Sequence, residues 1–400
     1  LYPVFLKKKS MEDIALFFQP IAHEGNYKPE TVGASIEANK ESTGFPELKE
    51  PGIALIFVPD YRGAGIVLDE SEGKISDLRD AYYGLYRAEN WTHTCYDLGT
   101  ILPGGSPADT RLAVKKTIEL LVKKNIVPFL IGGTQELTFA MYEAYKSLEM
   151  MINMTVVDSV FDIGDHHGEL VYDGWLSHIL MDKACYLFNY SNIGAQGHYI
   201  SPSSFKLFED LYFDVSRLGE IISDTKKTEP VLRNSDLVSF DVNVIQKASF
   251  NAALKNGVNG IDSHQACRIA RYAGIADKVS SIGLFNMDLR NVSNVEADLI
   301  AQLIWYFNEG YAARKGDFPK GSKKSYRKFR VAIDDFKDEL IFYKSDKSSR
   351  WWMEVPYTVA TGSKYQRHQL VPCNHEDYEL AMKGELPDLW WKTYLKLSVG

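Results

Sequence analysis

Asp158 and Asp162 stand four residues apart in the run Val156-Val157-Asp158-Ser159-Val160-Phe161-Asp162, directly after an apolar stretch. Carboxylates at the end of a buried strand are the hard oxygen ligands that divalent cations take. The run looks like a metal site with its histidine missing, and Val160 stands in that place. A second run, Ser239-Phe240-Asp241-Val242-Asn243, again sets a carboxylate just past apolar residues. Gln135 follows Pro128-Phe129-Leu130-Ile131, and Asn286 follows Ser281-Ile282-Gly283-Leu284-Phe285. The chemistry on offer is cation binding, and the missing histidine asks whether hydrolysis can follow.

These residues need strands to position them. Ile53 to Val58 is a continuous apolar run ended by Pro59, which suits a strand buried on both faces. Pro128 to Ile131, Thr155 to Val157, Leu237 to Phe240 and Val279 to Phe285 repeat the signal. Between them lie helical patterns at Leu78 to Tyr86, Thr110 to Lys124, Leu137 to Met150, Asp262 to Ala273 and Val295 to Phe307. Asp262 or Ser263 suits the N-cap of the fourth. Alternation of this kind over about 250 residues predicts a three-layer α/β/α fold with a mostly parallel central sheet. Function in such folds sits just beyond the carboxyl ends of the strands. Gln135, Asp158, Asp162, Asp241 and Asn243 all fall there.

Composition narrows the function classes. The chain is 45% hydrophobic and 24% charged, as in ordinary globular proteins. A net charge of −8 argues against a nucleic-acid partner. No apolar run approaches the roughly 18 residues of a transmembrane segment. The first lysines follow the apolar residues Leu1 to Leu6, the reverse of a secretory signal. Cys95, Cys185, Cys267 and Cys373 are scattered without a CxxC pair and read as reduced thiols of a cytoplasmic protein. There is no Gly-x-Ser-x-Gly elbow and no Walker A loop.

Five blocks in order carry a family resemblance. Ile131-Gly132-Gly133-Thr134-Gln135-Glu136 looks like a Gly-Gly-Asp-His block, and Val157 to Asp162 like an Asp-x-His-x-Asp block. Ser239 to Asn243 looks like Ser-x-Asp-x-Asp, and Gly260-Ile261-Asp262-Ser263-His264-Gln265-Ala266 like the helix start that follows it. Ser281 to Asn286 looks like a late strand that carries a glutamate in active members. The chain thus resembles the ureohydrolases (arginase, agmatinase and formimidoylglutamase) over roughly residues 50 to 310. Asp97-Leu98-Gly99 and the segment from Asp109 to Lys124 suit the formimidoylglutamase-like branch.

The resemblance implies an arginase-like fold and two Mn²⁺ ions held by two histidines and four aspartates around a bridging hydroxide. It also implies which positions have changed. Gln135 and Val160 stand at the histidine positions, and Asn243 at the fourth aspartate. Asp158, Asp162 and Asp241 are retained. Asn286 replaces the late glutamate, and His178 lies near where arginases keep a proton-shuttling histidine. The expectation is a pseudoenzyme with no cofactor, these being vestigial metal and substrate positions. The alternative is a one-metal hydrolase of a linear amidine, with a single Mn or Mg ion on Asp158, Asp162 and Asp241. Asp165-His166-His167-Gly168-Glu169 is a loop cluster that could rebuild a site, although a solvated loop is the simpler reading.

Residues 1–317 are read as the arginase-like domain, with an N-terminal extension to about 50, and 318–400 as a C-terminal extension. The extension holds the basic run from Lys320 to Arg330 and the pairs Trp351-Trp352 and Trp390-Trp391. Its basic run suits an acidic partner or anionic surface, or simply a solvated linker. A protein partner and self-association are expected. Arginase-like proteins extended in this way occur in gliding bacteria beside components of the type IX secretion motor. The resemblance therefore implies a cytoplasmic partner of that machinery, which no residue itself indicates.

Overall fold

A computed structural model describes residues 14–22, 25–66, 74–164, 168–246, 258–319, 323–333, 339–356 and 370–399. The main sheet has ten strands: β1 Phe18–Gln19, β2 Glu37–Ala38, β3 Gly52–Val58, β4 Thr94–Ile101, β5 Ile126–Gly132, β6 Ile152–Val157, β7 Leu187–Ala195, β8 Asp214–Arg217, β9 Leu237–Asp241 and β10 Ser281–Phe285. Their order is β1-β4-β3-β5-β10-β9-β6-β7-β8, with β2 also paired to β4. Every pairing is parallel except β1 with β4.

Apolar residues cover both faces of this sheet, as a parallel sheet requires. Alternate residues of β3 serve opposite cores. Ile53, Leu55 and Phe57 join Leu78, Ile269, Ile300 and Leu303 on one face. Ala54, Ile56 and Val58 join Val114, Ile118, Met141 and Trp175 on the other. Helices Ile75–Tyr83, Ser263–Ile275 and Asn294–Ala312 thus cover one side, and Pro107–Lys123, Leu137–Ser147 and Trp175–Leu180 the other. Asp262 is the N-cap of its helix, in a reciprocal pair with Gln265.

Two long strands escape an apolar-run reading. In β4, Asp97 has no exposed surface and accepts from Arg79 Nε and Tyr83 OH, both at 2.8 Å. Burial of that carboxylate is supported by partners from the helix Ile75–Tyr83, which the strand's own pattern cannot announce. In β7, Asn189 and Ser191 donate to Asp214 of β8 at 2.9 and 3.2 Å.

The later residues form a separate antiparallel sheet, β11 Tyr326–Val331, β12 Leu340–Ser345, β13 Trp351–Glu354 and β14 Leu370–Cys373. Helices His375–Met382 and Asp388–Val399 follow. Trp351, Trp352 and Trp390 are buried, whereas Trp391 is half exposed. Lys320 to Ser322 lie outside the described residues. The remainder of the basic run lies at and within β11, where Arg327 pairs with Asp346 at 3.0 Å and Arg330 with Glu339 at 3.3 Å. Arg233, buried in the main body, donates to Trp351 O at 3.1 Å and Cys373 O at 2.9 Å. Arg350 reaches back to Glu229 at 3.2 Å. Among the described residues no helix is long and apolar enough to cross a membrane.

Candidate functional site

Four neighbouring parallel strands, β5, β10, β9 and β6, end side by side. Their carboxyl ends deliver Gln135, Asn286, Asp241 with Asn243, and Asp158 with Val160 and Asp162. The turn after β5 is tight. A Cβ on Gly133 would lie 1.9 Å from Asp60 O, so only glycine lets this backbone pass the end of β3. Asn286 N donates to Gly133 O at 2.6 Å, which pins the end of β10 to the same turn.

Amide side chains fill the centre. Gln135 N donates to Asn286 Oδ1 and Asn286 Nδ2 donates to Gln135 Oε1, both at 3.0 Å. Gln135 Nε2 reaches Ser239 Oγ at 3.3 Å, and Asn243 Nδ2 donates to Asn286 O at 3.0 Å. Asp241 Oδ1 accepts from Asn243 N at 2.8 Å, Asp158 Oδ1 from Val160 N at 3.1 Å, and Asp162 Oδ2 from Trp175 Nε1 at 2.8 Å. Asp158 Oδ2 and Asn243 Oδ1 are buried with no partner among the described residues. Asp162 and Asn286 adopt left-handed backbone, with φ of 50° and 64°. That conformation is uncommon for any side-chain-bearing residue, and such positions concentrate at sites.

A cavity of about 350 Å³ opens over these residues. Val160, Asp162, Asp241, Asn243 and Asn286 line it, while Gln135 and Asp158 lie buried and do not. His178 is also absent from the lining; its ring meets Phe139 edge-on at 6.2 Å. Asp165, His166 and His167 lie outside the described residues. The sequence did not single out Tyr172, Tyr199, Ser201 and Ser204, which also line the cavity. Ser201 did leave a signal, because Ser201-Pro202 is a helix start.

The electrostatics follow from three carboxyls buried near one another. Burial, then the neighbouring Asp162 and Asp241, push the Asp158 carboxyl well above its ordinary value. Burial and Asp241 push Asp162 up to about 8. Burial pushes Asp241 up to about 6, against the donors Asn243 and Asn286. Desolvation and like charge both favour the neutral acid.

A profile of the arginase family matches residues 75–307. The chain belongs to the arginase family. Formimidoylglutamase from Bacillus subtilis superposes with a TM-score of 0.62 at 15% identity, covering 76% of this chain and 99% of that one. Formiminoglutamase from Trypanosoma cruzi, in a structure with Mn²⁺, gives 0.60 at 15% identity over 68% and 97%. Arginase from Bacillus subtilis gives 0.53 at 16% identity over 64% and 98%. No curated protein matches the chain. The expected arginase-like α/β fold is thereby established.

A pair of divalent ions does not fit the donors on this arginase fold. Val160 offers no donor atom, Gln135 Oε1 already accepts from Asn286, and Asn243 is neutral. Among the described residues no three His, Cys, Asp or Glu side chains are grouped to hold an ion.

Proposed function

We propose that this arginase-family chain is a non-hydrolytic member, a binding or structural component in which Gln135, Val160, Asn243 and Asn286 mark vestigial metal and substrate positions. The observation that carries this reading is the reciprocal hydrogen bonding of Gln135 and Asn286. The amide oxygen that would have to turn to a cation is engaged inside the protein. Two-metal hydrolysis needs both ions to lower the pKa of the attacking water and hold the charge that develops. His178 packs on Phe139 and belongs to helix packing in this account. The test is purified chain with excess Mn²⁺ and L-arginine, agmatine or formiminoglutamate. The reading requires no turnover above buffer, and metal-dependent turnover would end it.

We further propose that residues 1–317 act as the arginase-like domain and 318–400 as an extension that carries partner binding in the cytoplasm. The type IX secretion or gliding motor is the partner that the resemblance suggests, and self-association is a further arrangement. Arg233, whose guanidinium also lies 4.9 Å over the Trp352 ring, supports a fixed seat for the extension on the body. Capture of motor proteins by full chain, but not by chain ending at Gly316, is the expected pull-down result.

A second reading has one observation in its favour. Asp158 Oδ2 is buried without a partner, next to Asp162 and Asp241. A single Mn or Mg ion would supply the missing charge once these three carboxyls, which are not grouped to hold an ion in this arrangement, drew together on it. Metal analysis that finds one ion per chain, lost in Asp158→Ala, would favour it.

A further inference from the structure

Carboxyl and amide oxygens gather at the floor of the cleft. Asp162 and Asp241 reach it with their carboxyl groups, and Asp173 stands exposed at its rim. None of the described residues that line it is Lys, Arg or His. Asn243 is only 7% exposed, spends its Nδ2 on Asn286 O, and leaves Oδ1 without a donor. A buried acceptor with no donor is costly, so a ligand that brings donors is favoured there.

We propose that the cleft binds a primary alkylammonium group, held directly by oxygens of Asp162, Asp241 and Asn243. The proposal rests on the reading that no metal pair occupies these positions. Asp162 follows β6, whereas Asp241 ends β9 and Asn243 lies in the turn just past it, so the acceptors approach from different segments. Diverging acceptors suit the three tetrahedral N–H donors of an ammonium. A guanidinium presents its donors in one plane, as a fork for a single carboxylate. Ile163 and Ile200, with the 46%-exposed Tyr199, give the walls apolar surface for an alkyl chain. The same group is carried by a free amine or by a lysine side chain.

Isothermal titration of the full chain in EDTA tests this, with n-butylammonium as the free-amine probe and a capped Gly-Lys-Gly peptide as the lysine probe. Saturable binding of at least one is expected, and the tighter of the two identifies the source. Asp241→Asn should weaken it by about tenfold or more, and methylguanidinium should bind more weakly than n-butylammonium. Asn243→Leu serves the same purpose if circular dichroism shows Asp241→Asn unfolded. Lack of saturable binding, binding indifferent to these substitutions, or methylguanidinium binding as tightly would overturn the proposal. Such a failure without Mn²⁺-dependent hydrolysis leaves the non-hydrolytic reading standing, whereas hydrolysis removes that reading independently.

Discussion

Gln135 and Asn286, 151 residues apart in the chain, hold each other through two hydrogen bonds of 3.0 Å. With Gln135 Nε2 on Ser239, they fasten the ends of β5, β10 and β9 together. This neutral amide network fixes the three strand ends in one arrangement.

That network contributes to stability. Gln135→Leu keeps the approximate volume and removes the amide oxygen and nitrogen, which leaves the buried Asn286 Nδ2 without this acceptor. We expect urea unfolding to show a loss of about 1–3 kcal/mol with an unchanged m-value.

Rebuilding the donors should restore metal binding. The triple variant Gln135→His, Val160→His, Asn243→Asp replaces an occupied amide, an alkyl group and a neutral amide with ligands. Plasma emission analysis should find Mn²⁺ rising toward about two ions per chain. No gain over the natural chain would contradict the assignment of these positions as former ligands.

The carboxyls should destabilise the metal-free chain. Burial and Asp241 hold Asp162 at about 8, so ionising it at neutral pH works against the fold. Asp162→Asn removes the titrating group and keeps an acceptor for Trp175 Nε1. Thermal unfolding in EDTA should show the variant more stable by about 1–3 kcal/mol.

His93 predicts an acid-side weakness. Its ring is buried, packs edge-on to Tyr311 at 4.8 Å, and meets Asn308 Oδ1 at 2.9 Å. Burial pulls its pKa down to about 4, Arg87 and Arg314 add to the effect, and the Asn308 contact opposes it. The folded value lies below the unfolded 6.5, so its stabilisation is complete above pH 6.5 and fades as pH falls toward 4. About 3 kcal/mol is at stake. His93→Gln should flatten chemical-unfolding stability against pH in that window.

Much of this was legible in the residues, for reasons the structure makes plain. β3 and β5 are uninterrupted apolar runs and β10 departs from one only at Ser281, and burial on both faces demands such runs. The polar site residues were visible because they interrupt those runs at their ends. β4 and β7 stayed hidden because Asp97, Asn189 and Ser191 satisfy their polarity through other elements. The Gln135–Asn286 contact was equally out of reach, since it depends on β5 and β10 being neighbours. Tyr172 and Tyr199 enter the cleft from connecting segments with no pattern of their own.

One measurement bears most directly on the central claim. Equilibrium dialysis of the purified chain against Mn²⁺, read by plasma emission alongside urea release from L-arginine and agmatine and formamide release from formiminoglutamate, reports metal stoichiometry and turnover together. We predict fewer than two ions per chain and no product above the buffer rate. Two bound ions with metal-dependent product release would contradict it.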